Sequence, residues 1–347
     1  MDFYIMSGDK VVGRWENEVL ALDDTILAPM YLACTGNVLK WLETRAIDYH
    51  RANSRLLKKA LRLAEKDDIS TVISVNAATI TDNYWIKPFG SPLTYKDVRF
   101  DNDYFAKLAL NGDYDSFSKA ASSRTSITPE LTNTGSFEKC WRLVNGEWLM
   151  VKSADHNQQF SEIFIYELGK QLGFSMSEYV RGQKNVMTPD FTGNGTYNFE
   201  PAFSFMGDNE DYIAVVKKLR EVAPHSIIDY VRMVFLDTIV ANPDRHTFNF
   251  GLLRDPKSGE VVSLAPNFDN NMALISRGYP TSALRKNDML VKCFNELIEF
   301  DSALKQYVPS LSENDIKEAL AKTGMRVRTG FIICFIINAY KQIDIAK

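Results

Sequence analysis

Three side chains between Asp237 and Asp269 have the types and spacing that phosphoryl transfer to a hydroxyl requires. Asp244 could accept or orient the acceptor hydroxyl. Asn249 and Asp269 could supply two oxygen ligands to a magnesium ion that holds the phosphates of ATP. An Asp followed five residues later by an Asn also occurs by chance in many chains. The alternative is that Asp244 and Asn249 form turns and that Asp269 caps an element.

The elements predicted around these residues would bring them together. Apolar residues at helical spacing predict a helix that ends before Pro243, because a proline disfavours the helical conformation in the residue ahead of it. Asp244 then lies on a loop, and Asn249 opens a short strand. A turn rich in Pro and Gly leads into a second strand, Val261 to Leu264, and Asp269 follows that strand. The hairpin would therefore return Asp269 close to Asn249.

A second group of residues could contact a nucleotide. Gly135 lies among small polar residues immediately before a strand, and such a loop offers backbone N–H groups to phosphates. Asn145 and Gly146 predict a two-residue hairpin, and alternation along its second strand places Lys152 on an apolar face. Lys152 would then meet phosphates while adenine packs beside the apolar residues. The alternative is a lysine that ends its strand in solvent.

Glu162 is the natural ion-pair partner for Lys152. It lies in the first turns of a predicted helix that stops at Gly173. A lysine–glutamate pair of this kind positions ATP in kinases. Glu162 could instead only favour the helix N-terminus electrostatically, and Glu167 competes for the lysine.

The run N-P-D-R-H-T-F-N-F-G-L-L, with A-P-N-F-D downstream, resembles the catalytic segment of HipA-like serine/threonine kinases. Members of that family typically carry a D-R-H-x-x-N-x-G run. The resemblance implies a catalytic role for His246 beside Asp244, and for Asn249 and Asp269 as magnesium ligands. Asn270 stands where a eukaryotic-type kinase carries a Phe-Gly pair, and no A-P-E triplet follows. A conventional activation loop is therefore not expected.

The same resemblance extends to the loop from Gly135 to Lys139, which is similar to the glycine-containing, lysine-ended loop of HipA-like kinases. It implies that Gly135, Ser136 and Lys139 bind ATP. Because HipA-like kinases can be silenced by autophosphorylation of a serine in the corresponding loop, Ser136 or Thr134 is the expected acceptor. The alternative is that the hydroxyls of Thr132, Thr134 and Ser136 only hydrogen-bond the loop backbone.

The amino-acid composition limits the classes of protein to which this chain can belong. The chain has 347 residues, 45% of them hydrophobic and 24% charged, which is typical of a soluble globular protein. A net charge of −4 gives no general attraction to nucleic acid or anionic membrane. Residues 1–15 show no signal segment and residues 331–340 are too short to span a membrane, so we expect a cytoplasmic protein without a membrane contact. Four dispersed cysteines predict reduced, mostly buried thiols.

These observations predict an α+β, two-lobed, protein-kinase-like fold of the HipA type. Residues 1–120 would form an N-terminal accessory subdomain, residues 121–210 a nucleotide-binding lobe, and residues 211–347 a helical lobe with the catalytic loop. A stretch rich in Ser, Thr and Ala at residues 120–128 sets the first boundary.

The expected function is ATP- and Mg²⁺-dependent phosphorylation of a protein serine or threonine, and the protein substrate rests on the resemblance alone. The same geometry would serve a kinase for small molecules or lipids. A further alternative is a nucleotide-binding toxin or effector module that acts by binding. An antitoxin-type protein partner fits the resemblance, whereas direct binding of nucleic acid does not fit the charge.

Overall fold

The structure, a computed structural model, describes residues 1–48, 50–51, 53–63, 67–113 and 128–344. The chain divides into two units. The first unit contains Met1–Ser153, Met187–Glu200 and Leu253–Val262. The second unit contains Ala154–Val186, Pro201–Leu252 and Ser263–Lys347.

An antiparallel sheet in the first unit packs against an apolar cluster on each face. Its strands are β1 (Phe3–Ser7), β2 (Lys10–Glu16), β3 (Val19–Leu22) and β4 (Tyr84–Pro88), in the order β3-β2-β1-β4. Side chains alternate between the faces of a sheet. Phe3 and Ile5 therefore pack in one apolar cluster, while Met6 and Trp85 pack in another.

Short helices surround this sheet. They are α1 (Met30–Thr35), α2 (Val38–Glu43), α3 (Ser54–Ala60), α4 (Asp68–Ile73), α5 (Tyr95–Val98) and α6 (Ala106–Asn111), with a 3-10 turn at Pro129–Thr132. The side chain of Asn37 caps α2, because it accepts the backbone N–H of Lys40. Apolar residues at helical spacing predict a helix from Ser54 to Lys66. Helix α3 instead ends at Ala60, because Arg62 adopts a positive φ of 59°. Residues 64–66 lie outside the described part of the chain.

The predicted hairpin at Asn145-Gly146 is confirmed. It joins β5 (Lys139–Val144) to β6 (Glu147–Ser153), and its two central residues have φ of 53° and 85°, as a type I′ turn requires. These strands belong to a sheet in the order β5-β6-β8-β7, where β7 is Val180–Arg181 and β8 is Asn185–Pro189. Trp141 and Trp148 of the hairpin pack edge to face at 6.5 Å.

A third sheet contains the hairpin predicted after Asn249. Its strands are β9 (Asn198–Pro201), β10 (Gly251–Arg254) and β11 (Val261–Leu264), in the order β11-β10-β9. The side chain of Asp255 accepts the backbone N–H groups of Lys257 and Ser258 at 2.8 Å, which fixes the turn. The second strand has the predicted bounds. The first begins at Gly251, so Asn249 lies in the loop ahead of the strand.

Longer helices build the second unit. They are α7 (His156–Gln171), α8 (Phe203–Met206), α9 (Tyr212–Val222), α10 (Ile227–Val240), α11 (Met289–Phe300), α12 (Glu313–Thr323) and α13 (Thr329–Tyr340), with 3-10 turns at Pro224–Ser226 and Ser302–Tyr307. Helix α10 ends before Pro243, as predicted. The spacing of Ser312 and Asp315 in the sequence predicts a capping box, and the two residues form one at the start of α12. Phe235 of α10 packs against Phe294 and Tyr340, which places α10 at the centre of this unit.

The boundaries of the two units differ from the boundaries of the predicted subdomains. Trp141 and Trp148 share an apolar cluster with Met6 and Trp85, so the hairpin at residues 139–153 joins the N-terminal residues in one core. The predicted boundary between residues 120 and 121 falls in the segment 114–127, outside the described residues.

The expectation of mostly buried thiols is wrong for two of the four cysteines. Cys140 is buried, whereas Cys34 and Cys334 are exposed. Within the described residues, every helix falls short of the length and apolar character needed to cross a membrane.

A buried carboxyl closes the loop ahead of the hairpin at residues 139–153. Glu130 is 1% exposed and accepts the backbone N–H of Trp141 at 2.7 Å and the side-chain N–H of Asn133 at 3.2 Å. Burial raises the pKa of Glu130 to about 7, although these hydrogen bonds and the charge of Arg51 act in the opposite direction.

We expect Glu130→Gln to remove a pH dependence of stability. A carboxyl with a raised pKa in the folded protein contributes stability fully below its ordinary pKa of 4.5 and loses it as the pH rises through about 7. The free energy of unfolding of the parent should therefore fall relative to the variant across this window, by up to about 1.4 kcal/mol per pH unit. Thermal denaturation at stepped pH measures this, with Glu147→Gln on the exposed end of the hairpin as the control for a lost charge. Parallel curves for parent and Glu130→Gln would contradict the expectation.

Candidate active site

The candidate active site is built around a carboxylate inside helix α10. Asp237 lies among buried apolar residues of this helix and is itself 0% exposed. A buried carboxylate needs charged or hydrogen-bonding partners, because removing it from water is costly. Arg245 donates to it through Nε at 2.8 Å and Nη2 at 2.9 Å, and Asn242 donates through Nδ2 at 2.9 Å. Both partners come from the chain just beyond the end of the helix.

Arg245 joins the two segments that carry the predicted metal ligands. Its other hydrogen bonds go to two backbone carbonyls and two side-chain amides: Asn249 O and Phe268 O at 2.7 Å, and Asn267 Oδ1 and Asn270 Oδ1 at 2.9 Å. Asn249 lies on one segment, and the other three residues flank Asp269. One buried guanidinium therefore holds both segments. Burial opposes its charge, but the charge and hydrogen bonds of Asp237, together with the smaller contributions of Asp269 and Tyr179, raise the pKa of Arg245 overall.

The loop from Asp244 to Asn249 is closed by its own hydrogen bonds. Asn249 donates its side-chain N–H to the Asp244 carbonyl at 2.9 Å and its backbone N–H to the His246 carbonyl at 2.8 Å. Nδ1 of His246 accepts the backbone N–H of Phe248 at 3.2 Å. These contacts give His246 a part in holding the turn, and its catalytic role stays a prediction.

The carboxylate of Asp244 is half-buried, and no residue in the described part of the chain donates a hydrogen bond to it. Partial burial raises the pKa of Asp244. The positive charges of His246 and Arg245 act against this shift, and the negative charge of Asp269 adds to it. A carboxylate with a raised pKa that is open to an incoming group can take a proton from an acceptor hydroxyl more readily than an ordinary aspartate.

Asp269 adopts a left-handed backbone conformation with φ of 60°, which aspartate tolerates better than most residues. Its backbone N–H donates to the hydroxyl of Tyr179 at 3.0 Å. The next N–H, of Asn270, donates to Oε2 of Glu162 at 2.9 Å. Two side chains from the α7 helix and the segment after it thus hold the unusual turn that presents Asp269.

Glu162 is fully buried in α7, and its bond to the Asn270 N–H was not foreseen from the sequence. The sequence assigned Glu162 to Lys152 as an ion-pair partner. Lys152 belongs to the first unit and Glu162 to the second, and their pairing stays a prediction. Glu162 has a structural role in the second unit, since it fixes the backbone beside Asp269.

Asn249 and Asp269 fit a magnesium ion by the chemistry of their donor atoms. The amide nitrogen of Asn249 is used inside the loop, which leaves its Oδ1 as the atom for a cation, and Asp269 adds a carboxylate. Magnesium prefers such oxygen ligands and commonly takes the rest from water and phosphates. Among the described residues, no group of three or more His, Cys, Asp or Glu could hold a metal ion.

The predicted nucleotide-binding residues of the first unit lie on one loop and hairpin. Gly135 has φ of 96°, a conformation that favours glycine. Lys139 begins β5 and lies opposite Lys152 in the register of the hairpin. Lys152 is 6% exposed, which argues against the alternative of a lysine that ends its strand in solvent.

The three loop hydroxyls differ in exposure. Thr134 and Ser136 are exposed. Thr132 is buried, and its hydroxyl donates to the carbonyl of Ala78 at 2.7 Å. Thr134 and Ser136 therefore remain the candidates for modification.

Sequence reasoning missed several residues that build the site. Asp237, Asn242 and Tyr179 were given no role, and Arg245 was noted only as part of a motif. A single acidic residue within the apolar stripe of α10 was a usable signal for Asp237, because such a residue is rarely buried without a partner. The position of Tyr179 carries no comparable signal.

No family model and no curated protein matches the chain. Among solved structures, HipA of Shewanella oneidensis MR-1, in a complex with HipB and operator DNA, is 12% identical with a TM-score of 0.60 and covers 99% of this chain and 96% of its own. The kinase CtkA of Helicobacter pylori is 19% identical with a TM-score of 0.46 and covers 59% of this chain and 90% of its own. The similarity to HipA spans nearly both chains, and it confirms the predicted fold class. The chain therefore has an α+β, kinase-like fold similar to that of HipA.

Proposed function

We propose that this protein is a kinase that transfers the γ-phosphate of ATP, with magnesium, to a serine or threonine hydroxyl of another protein. The observation that carries the proposal is the single buried arginine that holds the segments of Asp244, Asn249 and Asp269 together. A carboxylate beside two oxygen ligands is the arrangement that phosphoryl transfer to a hydroxyl uses. The choice of a protein substrate rests on the resemblance of the D-R-H-x-x-N segment to HipA-like kinases.

Asp244 orients the acceptor hydroxyl and takes its proton as the oxygen attacks the γ-phosphate. Its half-buried carboxylate, open to an incoming hydrogen bond, supports this role. The loop bonds of Asn249 and His246 hold the backbone of Asp244 in place, so that little ordering is needed when the substrate binds.

Asn249 Oδ1 and the carboxylate of Asp269 would hold magnesium, which would supply positive charge against the phosphates. Tyr179 and Glu162 fix the backbone on either side of the Asp269 carboxylate before any ligand arrives. In the first unit, the backbone of Gly135 and Ser136 and the ammonium groups of Lys139 and Lys152 contact the nucleotide. The proposal includes Glu162 as the ion-pair partner of Lys152, the role that a lysine–glutamate pair has in kinases.

The Shewanella HipA structure is a complex of a toxin–antitoxin pair with its operator DNA. We extend the proposal to an antitoxin-type protein partner for this chain. Direct contact with nucleic acid is not part of the proposal, because the net charge of −4 provides no general attraction to it.

Asp244→Asn should abolish transfer and leave ATP binding nearly intact. The carboxylate acts on the hydroxyl in the transition state and not on the nucleotide, so kcat should fall by roughly 10²–10⁴-fold. Phosphate transfer from labelled ATP to candidate proteins and a direct nucleotide-binding measurement test this. Asp208→Asn, at an exposed aspartate of the second unit, is the control for a lost charge. Parental turnover by Asp244→Asn would refute the assignment.

Asp269→Asn should weaken nucleotide binding that depends on magnesium. The substitution keeps the side-chain shape but removes the anionic ligand, and we expect the magnesium concentration for half-maximal ATP binding to rise roughly tenfold or more. ATP binding measured across a magnesium titration gives the answer. Coinciding titrations for parent and variant would remove Asp269 from the metal site.

The active protein should phosphorylate its own loop at Ser136 or Thr134. A phosphate there carries about −1.5 to −2 charges into the region of the nucleotide phosphates and should repel them, which lowers activity. Incubation with ATP and mapping of phosphosites by mass spectrometry tests this, with the inactive Asp244→Asn protein as the control. Both hydroxyls unmodified in a preparation that phosphorylates a substrate would contradict it.

A further inference from the structure

An arginine of the first unit, Arg51, organises the loop at residues 133–139. Arg51 is 1% exposed, in the chain between α2 and α3. Its guanidinium donates to four backbone carbonyls of the loop: Asn133 at 2.5 Å, Thr134 at 3.3 Å, Gly135 at 3.0 and 3.2 Å, and Lys139 at 3.3 Å. Among the described residues, all of its hydrogen bonds go to these carbonyls. The carboxylates of Glu130 and Glu138 favour its buried charge from nearby.

The convergence of these carbonyls fixes where the loop's N–H groups point. A trans peptide unit is planar and directs its N–H opposite to its C=O. Since three successive carbonyls, from Asn133 to Gly135, turn toward Arg51, the N–H groups of Thr134, Gly135 and Ser136 turn away from it. No described residue accepts a hydrogen bond from these three N–H groups, and all three residues are exposed.

Successive N–H groups directed to one side form a concavity that binds anions. The positive φ of Gly135 permits this bend. The ammonium group of Lys139 lies against the same glycine, because a Cβ placed on Gly135 would be 2.4 Å from Lys139 Nζ. The loop thus combines a row of N–H groups with an ammonium group, a combination whose chemistry suits a phosphate group.

We propose that Arg51 is a positioning residue that shapes this phosphate-binding loop by gathering its carbonyls on one side. The assignment of ATP as the ligand rests on the proposed function. Arg51 touches no nucleotide itself and acts through the loop backbone. A lysine in its place keeps the charge but lacks the planar fork, and it cannot hold four carbonyls at once.

The test compares Arg51→Lys and Arg51→Gln with the parent and with Arg45→Lys. Arg45 is a matched control, since it is also buried in the first unit but bonds to Asp82 and to the carbonyls of Ala77 and Tyr84. The first measurement is the rate of chymotrypsin cleavage after the half-buried Phe137, without nucleotide. The second is the KM for ATP and kcat. Thermal denaturation checks that each variant folds. If Arg51→Gln does not fold, Arg51→Lys, which retains the buried charge, still tests the proposal.

We expect cleavage at Phe137 to be roughly tenfold faster in both Arg51 variants than in Arg45→Lys or the parent. The KM for ATP should rise roughly tenfold while kcat changes less than about threefold, with Arg51→Lys less affected than Arg51→Gln. Equal cleavage rates in all four proteins would overturn the inference, as would the same acceleration in Arg45→Lys. Because cleavage is measured without nucleotide, it decides the role of Arg51 even if the parent transfers no phosphate and the proposed function fails.

Discussion

The ion pair between Asp237 and Arg245 is the interaction on which the candidate active site depends. Their side chains are 0% and 3% exposed, so each charge is compensated by the other and by the groups around it. Losing one partner of such a pair leaves an uncompensated buried charge, at a cost of about 3–5 kcal/mol. The same guanidinium also holds the carbonyls of Asn249 and Phe268. The pair therefore links the stability of the second unit to the positions of the proposed metal ligands.

The end of helix α10 directs the chain into this arrangement. Ala241 adopts φ of 53°, which ends the helix, and Arg285 donates to the terminal carbonyls of Thr238 at 2.6 Å and Ile239 at 3.0 Å. A cation at a helix C-terminus satisfies carbonyls that have no partner within the helix and opposes the negative end of its dipole. The positive φ of Ala241 and the hydrogen bonds of Arg285 together fix the direction in which the chain leaves the helix toward Pro243 and Asp244.

Much of the local structure followed from the sequence because its causes are local. Asn145-Gly146 supplies the two positive φ angles of a tight hairpin, and Pro243 limits the helix before it. The capping box at Ser312 likewise involves neighbours in the chain. Boundaries were less accurate: α3 ended early, and Asn249 proved to precede its strand. The division into units differed because Trp141 and Trp148 pack with residues far away in the chain.

The sequence by itself determined the order of Asp244, Asn249 and Asp269 and the helix, loop and hairpin that carry them. Only the tertiary structure decided which buried arginine holds which loop. Arg245 bonds to Asn267 and Asn270 more than twenty positions away, and Arg51 bonds to carbonyls more than eighty positions away. The physical reason is that a guanidinium group binds any acceptor at hydrogen-bond distance near the plane of the group, whatever the residue type. Every residue has the same backbone carbonyl. The residue types of the loop therefore do not indicate which arginine binds it.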